Sequence, residues 1–341
     1  MFSTATMGTA HGESVCSAVL RQSPEDFVVR EDLGFELSGE GEHCWLEIEK
    51  KGLNTSDIVD QLARLAQVKA KVIGYAGLKD KYAITRQWFS LGLAGKSEPD
   101  WGLLNSDRIT VLQVARHQRK LRRGVHSANR FKITLRSVVG DRDEIEVRLG
   151  AIKDGGIPNY FGEQRFGHEG KNINRAAAWF AGQSRAPRNR QKRGLYLSAA
   201  RAYLFNLVLD NRVSQADWQL PLTGDVCILD GTRSYFTVKE ADRDIAQRGE
   251  KFDIHLACPL WGGGRREAEE HVQRREDDVL AADLHLCLGL EEQGLNMEYR
   301  SARMVANDFS WQFFEDDSLQ LKFVLAAGCF ATSLVRELAR Y

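Results

Sequence analysis

The sequence predicts an α+β protein in which a β-rich first part and a helical middle part are followed by a returning strand. Up to about residue 150, short runs of alternating apolar and polar residues indicate strands. After a glycine- and proline-containing break at 155–158, the apolar spacing becomes helical. Alternation returns at Leu321, Phe323 and Leu325. This pattern is typical of an α+β domain that carries an insertion.

The β-rich part opens with a half-buried strand and an amphipathic helix. Cys44, Leu46 and Ile48 fall on one side of the strand, which indicates that this face is buried. Apolar residues at helical spacing from 58 to 66 follow N-cap candidates at 54–57, which predicts a helix. The predicted strands are 43–49, 72–76, 86–91, 109–114, 131–136 and 321–325, and the predicted helices are 54–66, 145–152, 196–213 and 330–340.

Size and composition narrow the class of protein. The 341 residues, 43% of them hydrophobic, suggest two domains or one domain with a large insertion, and residues 240–300 are acidic and irregular. No run of about 18 apolar residues occurs, and the first residues lack the basic and apolar regions of a secretory signal. The six cysteines form no CxxC pair, which disfavours a paired zinc site and a disulfide scaffold. We therefore expect a soluble, cytoplasmic, monomeric protein with no membrane partner.

The distribution of charge is more informative than its sum. The 47 basic and 47 acidic residues give a formal net charge of zero. Residues 108–136 carry nine Lys or Arg, residues 171–201 carry eight, and neither stretch contains an acid. The remainder then holds 30 basic residues against all 47 acidic ones. Two basic stretches in an otherwise acidic chain indicate a polyanion partner, although solvated faces that balance the acidic ones would give the same pattern.

Familiar cofactor and metal motifs are absent from the sequence. It has no GxGxxG after a predicted strand, no HExxH, no HxE…PCxxC and no GxSxG. Gly95-Lys96-Ser97 resembles the end of a phosphate-binding loop, but Ser90 stands where that loop requires its first glycine. We therefore expect neither a nucleotide cofactor nor a metal.

Three short segments could carry chemistry. In the GLKDKYAITR segment (77–86), Asp80 lies between two lysines in a predicted turn, where cations favour the ionised carboxylate that a nucleophile needs; an ordinary turn Asp is the alternative. The PNYFGEQRFG segment (158–167) interleaves aromatic residues with Arg and Gln, which suits base stacking or, equally, a hydrophobic cluster at a domain junction. Phe27 reads as a strand-core residue by pattern alone.

Six segments of the chain resemble, in order, the TruD family of tRNA pseudouridine synthases. This resemblance implies a catalytic domain of the pseudouridine synthase type, with a mixed, largely antiparallel sheet interrupted by a mainly helical α/β insertion. It implies a catalytic domain of residues 1–154 plus 304–341 and an insertion domain of 155–303. The segments are PEDFVVREDLGF (24–35), AGLKDKYAITRQW (76–88), ARHQRKLRRG (115–124), PNYFGEQRFG (158–167), YLSAARAYLFN (196–206) and AGCFATSLVREL (327–338).

The resemblance also implies an activity, the isomerisation of uridine 13 of tRNA to pseudouridine on a flipped base, without cofactor or metal. Asp80 matches the family's catalytic aspartate, beside C1′ of the ribose, as nucleophile or as base. Its basic partner is open: Lys79, Lys81 and Arg86 are near in sequence, and a residue from elsewhere is the alternative.

The substrate pocket and the RNA-backbone contacts complete the expected site. Phe27, Asn129 and Phe330 match family positions that line the pocket, and Phe131 matches a fourth that core packing alone would also explain. A non-catalytic RNA-binding or RNA-chaperone protein with the same fold is the competing interpretation, and a carboxylate between lysines argues against it. The residues expected to contact the RNA backbone are Arg119, Lys120, Arg122, Arg123, Arg190, Lys192 and Arg193.

Overall fold

The computed structural model describes residues 7–93, 95 and 97–341. In chain order its strands are β1 (Cys16–Leu20), β2 (Phe27–Asp32), β3 (His43–Lys51), β4 (Gly74–Tyr75), β5 (Ile84–Gly92), β6 (Ile109–His117), β7 (Ala128–Gly140), β8 (Ile157–Pro158), β9 (Val226–Leu229), β10 (Tyr235–Thr237), β11 (Ile254–Leu260), β12 (Glu298–Ser301), β13 (Arg303–Met304), β14 (Asn307–Phe313), β15 (Leu319–Ala326) and β16 (Ala339–Arg340). Its helices are α1 (Thr55–Leu65), α2 (Arg142–Gly155), α3 (Lys171–Phe180), α4 (Arg190–Ser214), α5 (Arg243–Glu250), α6 (Glu270–Leu280), α7 (Leu284–Glu292) and α8 (Ala331–Leu338).

The chain divides into two compact units, each built from several segments. The helical unit comprises the segment ending at Val15, Asp143–Val305 and Cys329–Leu338. The sheet unit comprises Cys16–Arg142, Ala306–Gly328 and Ala339–Tyr341. Helices and a mixed sheet together confirm the predicted α+β class. Within the described ranges, no helix combines the length and the apolar character needed to cross a membrane.

A ten-stranded sheet forms the framework of the sheet unit. Its main path runs β14-β15-β7-β2-β5-β3-β6; in addition, β1 pairs with β7 and with β16, and β4 pairs with β5. The β2–β5 and β1–β16 pairs are parallel and the other pairs are antiparallel, as the expected mixed, largely antiparallel sheet requires. Helix α1 buries Ile58 and Leu62 against Leu46 and Ile48 of β3, which confirms the amphipathic helix predicted there.

Helix α4 organises the core of the helical unit. It buries Leu204, Phe205, Val208 and Leu209 in the core cluster. The helical spacing in the sequence predicts Leu197, Leu204, Leu207 and Val208 on the buried side, and of these Leu197 and Leu207 are only half-buried. A four-stranded antiparallel sheet in the order β10-β9-β11-β12 and the short β8–β13 pair complete the unit.

The expectation that residues 240–300 are irregular is wrong. This stretch contains α5, β11, α6, α7 and β12. Six of the seven residues of β11 are buried, so the strand lacks the alternation on which the prediction depends. Helix α4 also begins at Arg190, earlier than predicted, because its first turn has no apolar residue. The Asn189 side chain caps this turn: its Oδ1 accepts hydrogen bonds from the backbone N–H groups of residues 191 and 192.

The compact units and the predicted domains are divided at different residues. Residues 7–15, 143–154, 304–305 and 329–338, expected in the catalytic domain, belong to the helical unit. Packing explains one of these segments, because Phe330 joins the hydrophobic cluster built around α4. The division at 155 and 303 follows the order of the motifs along the chain and stays a prediction about domains.

Gly74 in β4 provides a test of how the sheet unit holds the loop after β6. A Cβ at this position would lie 2.3 Å from the carbonyl oxygen of Leu121 and 2.5 Å from Oγ of Ser90. Because the nearest atom is backbone, we expect Gly74→Ala to lower the free energy of unfolding by about 1–3 kcal/mol. The measurement is urea denaturation. In the control Gly150→Ala, on α2, the added Cβ has no atom within 4 Å and should stabilise by about 0.5–1 kcal/mol; equal stabilities for the two variants would contradict this packing.

Candidate active site

Asp80 lies in the turn between β4 and β5, residues 76–83, which we call the Asp80 turn. One carboxylate oxygen, Oδ2, is 2.7 Å from Nη2 of Arg21. The other, Oδ1, accepts a hydrogen bond from the backbone N–H of Tyr82 at 3.0 Å. The Asp80 side chain is 20% exposed, so the carboxylate is oriented by two donors and is still accessible to a ligand.

Arg21 is the basic partner that the sequence left open. It follows β1 with φ of 61°, a left-handed conformation that is uncommon for a residue other than glycine. Its guanidinium carbon is 4.2 Å from the ring centroid of Phe27. Arg21 therefore joins the Asp80 carboxylate to the first of the expected pocket residues, within the sheet unit.

The three cations near Asp80 in sequence have other contacts. Lys79 Nζ is 2.6 Å from Oε1 of Glu31, and Arg86 Nε donates to Oε2 of Glu49 at 2.7 Å. Lys81 Nζ lies 5.7 Å from the ring centroid of Tyr82. Proximity in sequence was therefore a poor guide to the partner of Asp80.

Three buried side chains bind the main chain of the Asp80 turn from the sheet side. Lys50 Nζ donates to the carbonyl oxygens of Leu53 at 2.6 Å and Asp80 at 3.0 Å. Thr55 Oγ1 accepts from the backbone N–H of Lys79 at 3.0 Å, and Gln87 Nε2 donates to the carbonyl of residue 77 at 2.5 Å. Thr55 also donates to Gln87 Oε1 at 3.0 Å, so the supports are themselves connected. This network restrains the backbone that carries Asp80.

Burial perturbs two titratable groups next to the turn. Loss of hydration lowers the pKa of Lys50 to about 8, although the Asp80 carboxylate opposes the shift. Burial also lowers the pKa of His126, and the positive charge of Lys79 lowers it further. The His126 imidazole is therefore neutral at pH 7.

The sheet aligns the other expected pocket residues beside the turn. In the β2–β7 ladder Phe27 pairs with Ile133, residue 29 with Phe131 and Glu31 with Asn129, so these side chains share one face. The Phe131 ring makes an edge contact with Phe27, with 6.2 Å between centroids, and stacks on residue 323 of β15 at 5.2 Å. The structure thus brings Phe27, Phe131, Asn129 and Asp80 together in one unit.

Asn129 presents an unused hydrogen-bond acceptor. Its side-chain nitrogen lies 3.3 Å from Nε2 of His126. Its buried Oδ1 has no hydrogen-bond partner among the residues that the structure describes. A buried carbonyl oxygen without a partner is costly to the folded protein unless a ligand supplies the donor.

Phe330 belongs to the helical unit and is buried rather than partly exposed. Only 9% of it is accessible, and its ring makes an edge contact with Phe161 at 6.0 Å. Tyr160, Phe161 and Phe166 of the 158–167 segment are core residues as well, which favours the hydrophobic-cluster interpretation of that segment over base stacking. A pocket role for Phe330 stays a prediction.

The loop after β6 carries the first group of expected RNA-contacting cations next to the Asp80 turn. The backbone N–H of residue 124 donates to the carbonyl of residue 76 at 2.8 Å. Leu121 is buried and donates its N–H to Oγ of Ser90, so the loop is fixed while Arg119, Arg122 and Arg123 remain exposed. Lys120 is half-buried and reaches the carbonyl of residue 71 at 3.2 Å. The second group, Arg190, Lys192 and Arg193, is exposed on the first turn of α4.

Comparison with known proteins identifies the family. A family model described as tRNA pseudouridine synthase D (TruD) matches residues 9–180 and 183–338. The chain belongs to the TruD family. A tRNA pseudouridine synthase D from Nitrosococcus oceani is 48% identical over 96% of this chain and 91% of its own length, and one from Methylococcus capsulatus is 46% identical over 97% and 94%. A TruD crystal structure from Methanosarcina mazei shares the fold, with a TM-score of 0.71, 20% identity and coverage of 100% of this chain and 96% of that one.

Sequence reasoning missed six residues around the Asp80 turn and Asn129: Arg21, Glu31, Lys50, Thr55, Gln87 and His126. Glu31 lies inside the matched segment 24–35, which therefore held a signal for it, whereas Arg21 stands three positions before that segment. His126 lies three residues before Asn129. Lys50 had no signal, because a lysine next to another lysine at the end of a strand reads as solvated.

Lys50 allows a test based on pH. The pKa is about 8 in the folded protein and near its ordinary value of 10.5 in the unfolded chain, so between these values the unfolded chain holds more protons. Lys50 therefore destabilises the fold below pH 8, and this cost disappears as the pH approaches 10. We expect the unfolding free energy of the wild type, minus that of Lys50→Met, to rise by up to about 3 kcal/mol between pH 7 and pH 10.

The matched control is Lys51→Met. Lys51 is the next residue on β3, is 45% exposed and forms an ion pair with Glu25. Guanidinium denaturation of all three proteins across the pH range gives the comparison. A difference for Lys50→Met that does not change with pH would show that this ammonium is not desolvated.

Proposed function

We propose that this protein is an isomerase that converts a uridine of tRNA into pseudouridine, with tRNA as its partner and the cytoplasm as its compartment. The observation that carries the proposal is the Asp80 carboxylate, accessible, bound by Arg21 and mounted on a turn that buried side chains hold from behind. Relatives named tRNA pseudouridine synthase D, which align over more than nine tenths of both chains, support it. The resemblance of the motifs further suggests uridine 13 as the target.

The proposed reaction needs one carboxylate and no external reactant. The N1–C1′ bond of uridine breaks, the uracil turns, and a C5–C1′ bond forms; C5 loses its proton and N1 gains one, so substrate and product are isomers. Asp80 acts beside C1′ as nucleophile or as base. Arg21 orients the carboxylate and balances its charge through the contact at 2.7 Å.

The pocket residues fit a uracil that has left its stack. Oδ1 of Asn129, which lacks a partner among the described residues, can accept the N3–H of uracil, and the neutral His126 holds the other end of the amide. Phe27 and Phe131 offer an apolar wall for the ring. For Phe330 the proposal has only its match to a family position, and its role in substrate binding stays a prediction.

The competing proposal is an RNA-binding protein without catalysis. The exposed arginines after β6 would serve such a protein equally well. A binder has no use, however, for a carboxylate held close to the basic loop, because it repels phosphates. The buried support of the Asp80 turn by Lys50, Thr55 and Gln87 therefore favours the enzyme.

Asp80→Asn is the direct test of the enzyme. The change is nearly isosteric and removes the nucleophile or base, so we expect no detectable pseudouridine, while tRNA affinity and stability stay close to those of the wild type. Nucleoside mass spectrometry of treated tRNA measures the product, and a tRNA with cytidine at position 13 tests the target. Asp60→Asn, on the exposed side of α1, should react like the wild type. If Asp80→Asn forms pseudouridine, Asp80 has no part in the mechanism. If the wild type forms no pseudouridine, the competing proposal of a non-catalytic RNA-binding protein is favoured.

The loop after β6 predicts a salt dependence of tRNA binding. If Arg119, Lys120 and Arg122 bind phosphates, their combined change to Ala should weaken binding. The slope of log affinity against log salt should then flatten by roughly 0.7–0.9 for each phosphate that the loop no longer neutralises. Filter binding at several salt concentrations measures this slope.

The control removes the same charge from the helical unit. It combines Arg243→Ala, Arg265→Ala and Arg274→Ala, three exposed positions outside both basic stretches. Arg265 and Arg274 also lie near acids, at 3.9 and 3.6 Å. If both triple variants flatten the slope equally, the effect is one of net charge and not of phosphates bound by the loop.

A further inference from the structure

The helical unit contains a basic cavity of about 430 Å³ between the end of α3 and the beginning of α4. Its volume lies within the range of pockets that hold small ligands. Four cations and two aromatic rings line it, and no residue of the described lining is acidic. These six residues are Arg175, Arg185, Arg188, Lys192, Trp179 and Tyr196.

The two rings are half-buried and are held by arginines. Arg175 Nη1 donates to the Tyr196 hydroxyl at 3.1 Å. Arg193 lies over Trp179, with 5.4 Å between the guanidinium carbon and the ring centroid, and it is fixed by a hydrogen bond to Gln293 at 2.6 Å. The rings therefore keep their places in the cavity wall while part of each remains accessible.

The cations of the cavity lack acidic neighbours along the chain as well. Residues 171–201 contain no Asp or Glu, whereas exposed arginines elsewhere in the unit, such as Arg265 and Arg274, lie near glutamates. Four cations in one concave, acid-free site repel one another, and a bound anion relieves that repulsion. Phosphate is the anion that arginines bind best when the ligand is RNA.

We propose that this cavity binds one unpaired nucleotide of the RNA substrate. Its base stacks against Trp179 and Tyr196, and its phosphates contact Arg175, Arg185, Arg188 and Lys192. A base inside a duplex cannot enter a concave site, whereas an unstacked base offers a face to aromatic rings. Recognition by stacking and charge predicts little preference for one base. The inference rests on the proposed function and deepens it by giving the helical unit a binding site of its own.

Photo-crosslinking locates the contact. The probe is a tRNA transcript that contains 4-thiouridine, irradiated with the wild-type protein, and mass spectrometry identifies the crosslinked peptide. We expect a crosslink to Trp179 or Tyr196. A short single-stranded oligouridylate should compete for it, and a blunt-ended RNA duplex without a loop should not. Competition by millimolar uridine 5′-monophosphate as effective as that of the oligouridylate would show a site for free nucleotides and overturn the proposal.

Affinity measurements test the stacking. Because a stacked base contributes about 1–3 kcal/mol, Trp179→Ala should raise the Kd for the tRNA at least about fivefold, and Trp179→Phe should restore most of the affinity. Tyr235→Ala, an exposed ring elsewhere in the helical unit, should bind like the wild type. Thermal denaturation shows whether each variant is folded. If Trp179→Ala is unfolded, the Kd of Trp179→Phe can still be compared with that of the wild type.

Failure of this inference is separable from failure of the proposed function. Normal tRNA affinity for Trp179→Ala, or crosslinks that fall outside the cavity, would overturn the nucleotide site even while the protein makes pseudouridine. Reduced affinity in a variant with Arg185 and Arg188 changed to Ala, with no reduction in Trp179→Ala, would show contact with phosphates alone and would also overturn it. A crosslink to Trp179 in a protein that makes no pseudouridine would support the nucleotide site and reject the enzyme.

Discussion

A surface turn holds a reactive carboxylate poorly, because its backbone has few contacts of its own. In this protein the Asp80 turn is bound from the sheet side, where Lys50, Thr55 and Gln87 reach main-chain atoms of residues 77, 79 and 80. All three side chains are fully buried on β3, α1 and β5. The position of Asp80 therefore depends on the register of the central strands, so that packing far from the surface determines the geometry of the site.

The same arrangement buries charged groups that contribute little to the stability of the fold. Lys79 and Glu31 form an almost fully buried ion pair, and Lys50 keeps its ammonium away from water. Buried charges are expensive, and apolar residues of similar volume often stabilise a fold at least as well. The hydrogen bonds that these groups make to the turn and to the N–H of residue 88 give them a positional role instead.

The cations around the Asp80 turn fall into two classes by burial. Arg21, Lys50 and Lys79 are partly or fully buried and contact carboxylates or carbonyl oxygens of the site. The arginines of the loop after β6 are exposed, while the buried Leu121 and its hydrogen bond to Ser90 anchor the loop. The formal net charge of zero therefore includes buried cations that orient Asp80 and exposed cations that can contact a polyanion.

The sequence by itself determined the α+β class, helix α1, most strands of the sheet unit, the family, and Asp80 as the candidate carboxylate. Each depends on neighbouring residues: alternation, helical spacing, a cap or a continuous motif. Only the tertiary structure decided that Arg21, 59 positions away, pairs with Asp80, that Lys50 supports the turn, and that Phe330 is buried with the α4 core. Partners of this kind meet through strand pairing between distant segments, such as the parallel β2–β5 ladder. Local periodicity shows that a residue lies in a strand, whereas the register that chooses its neighbour is a property of the whole sheet.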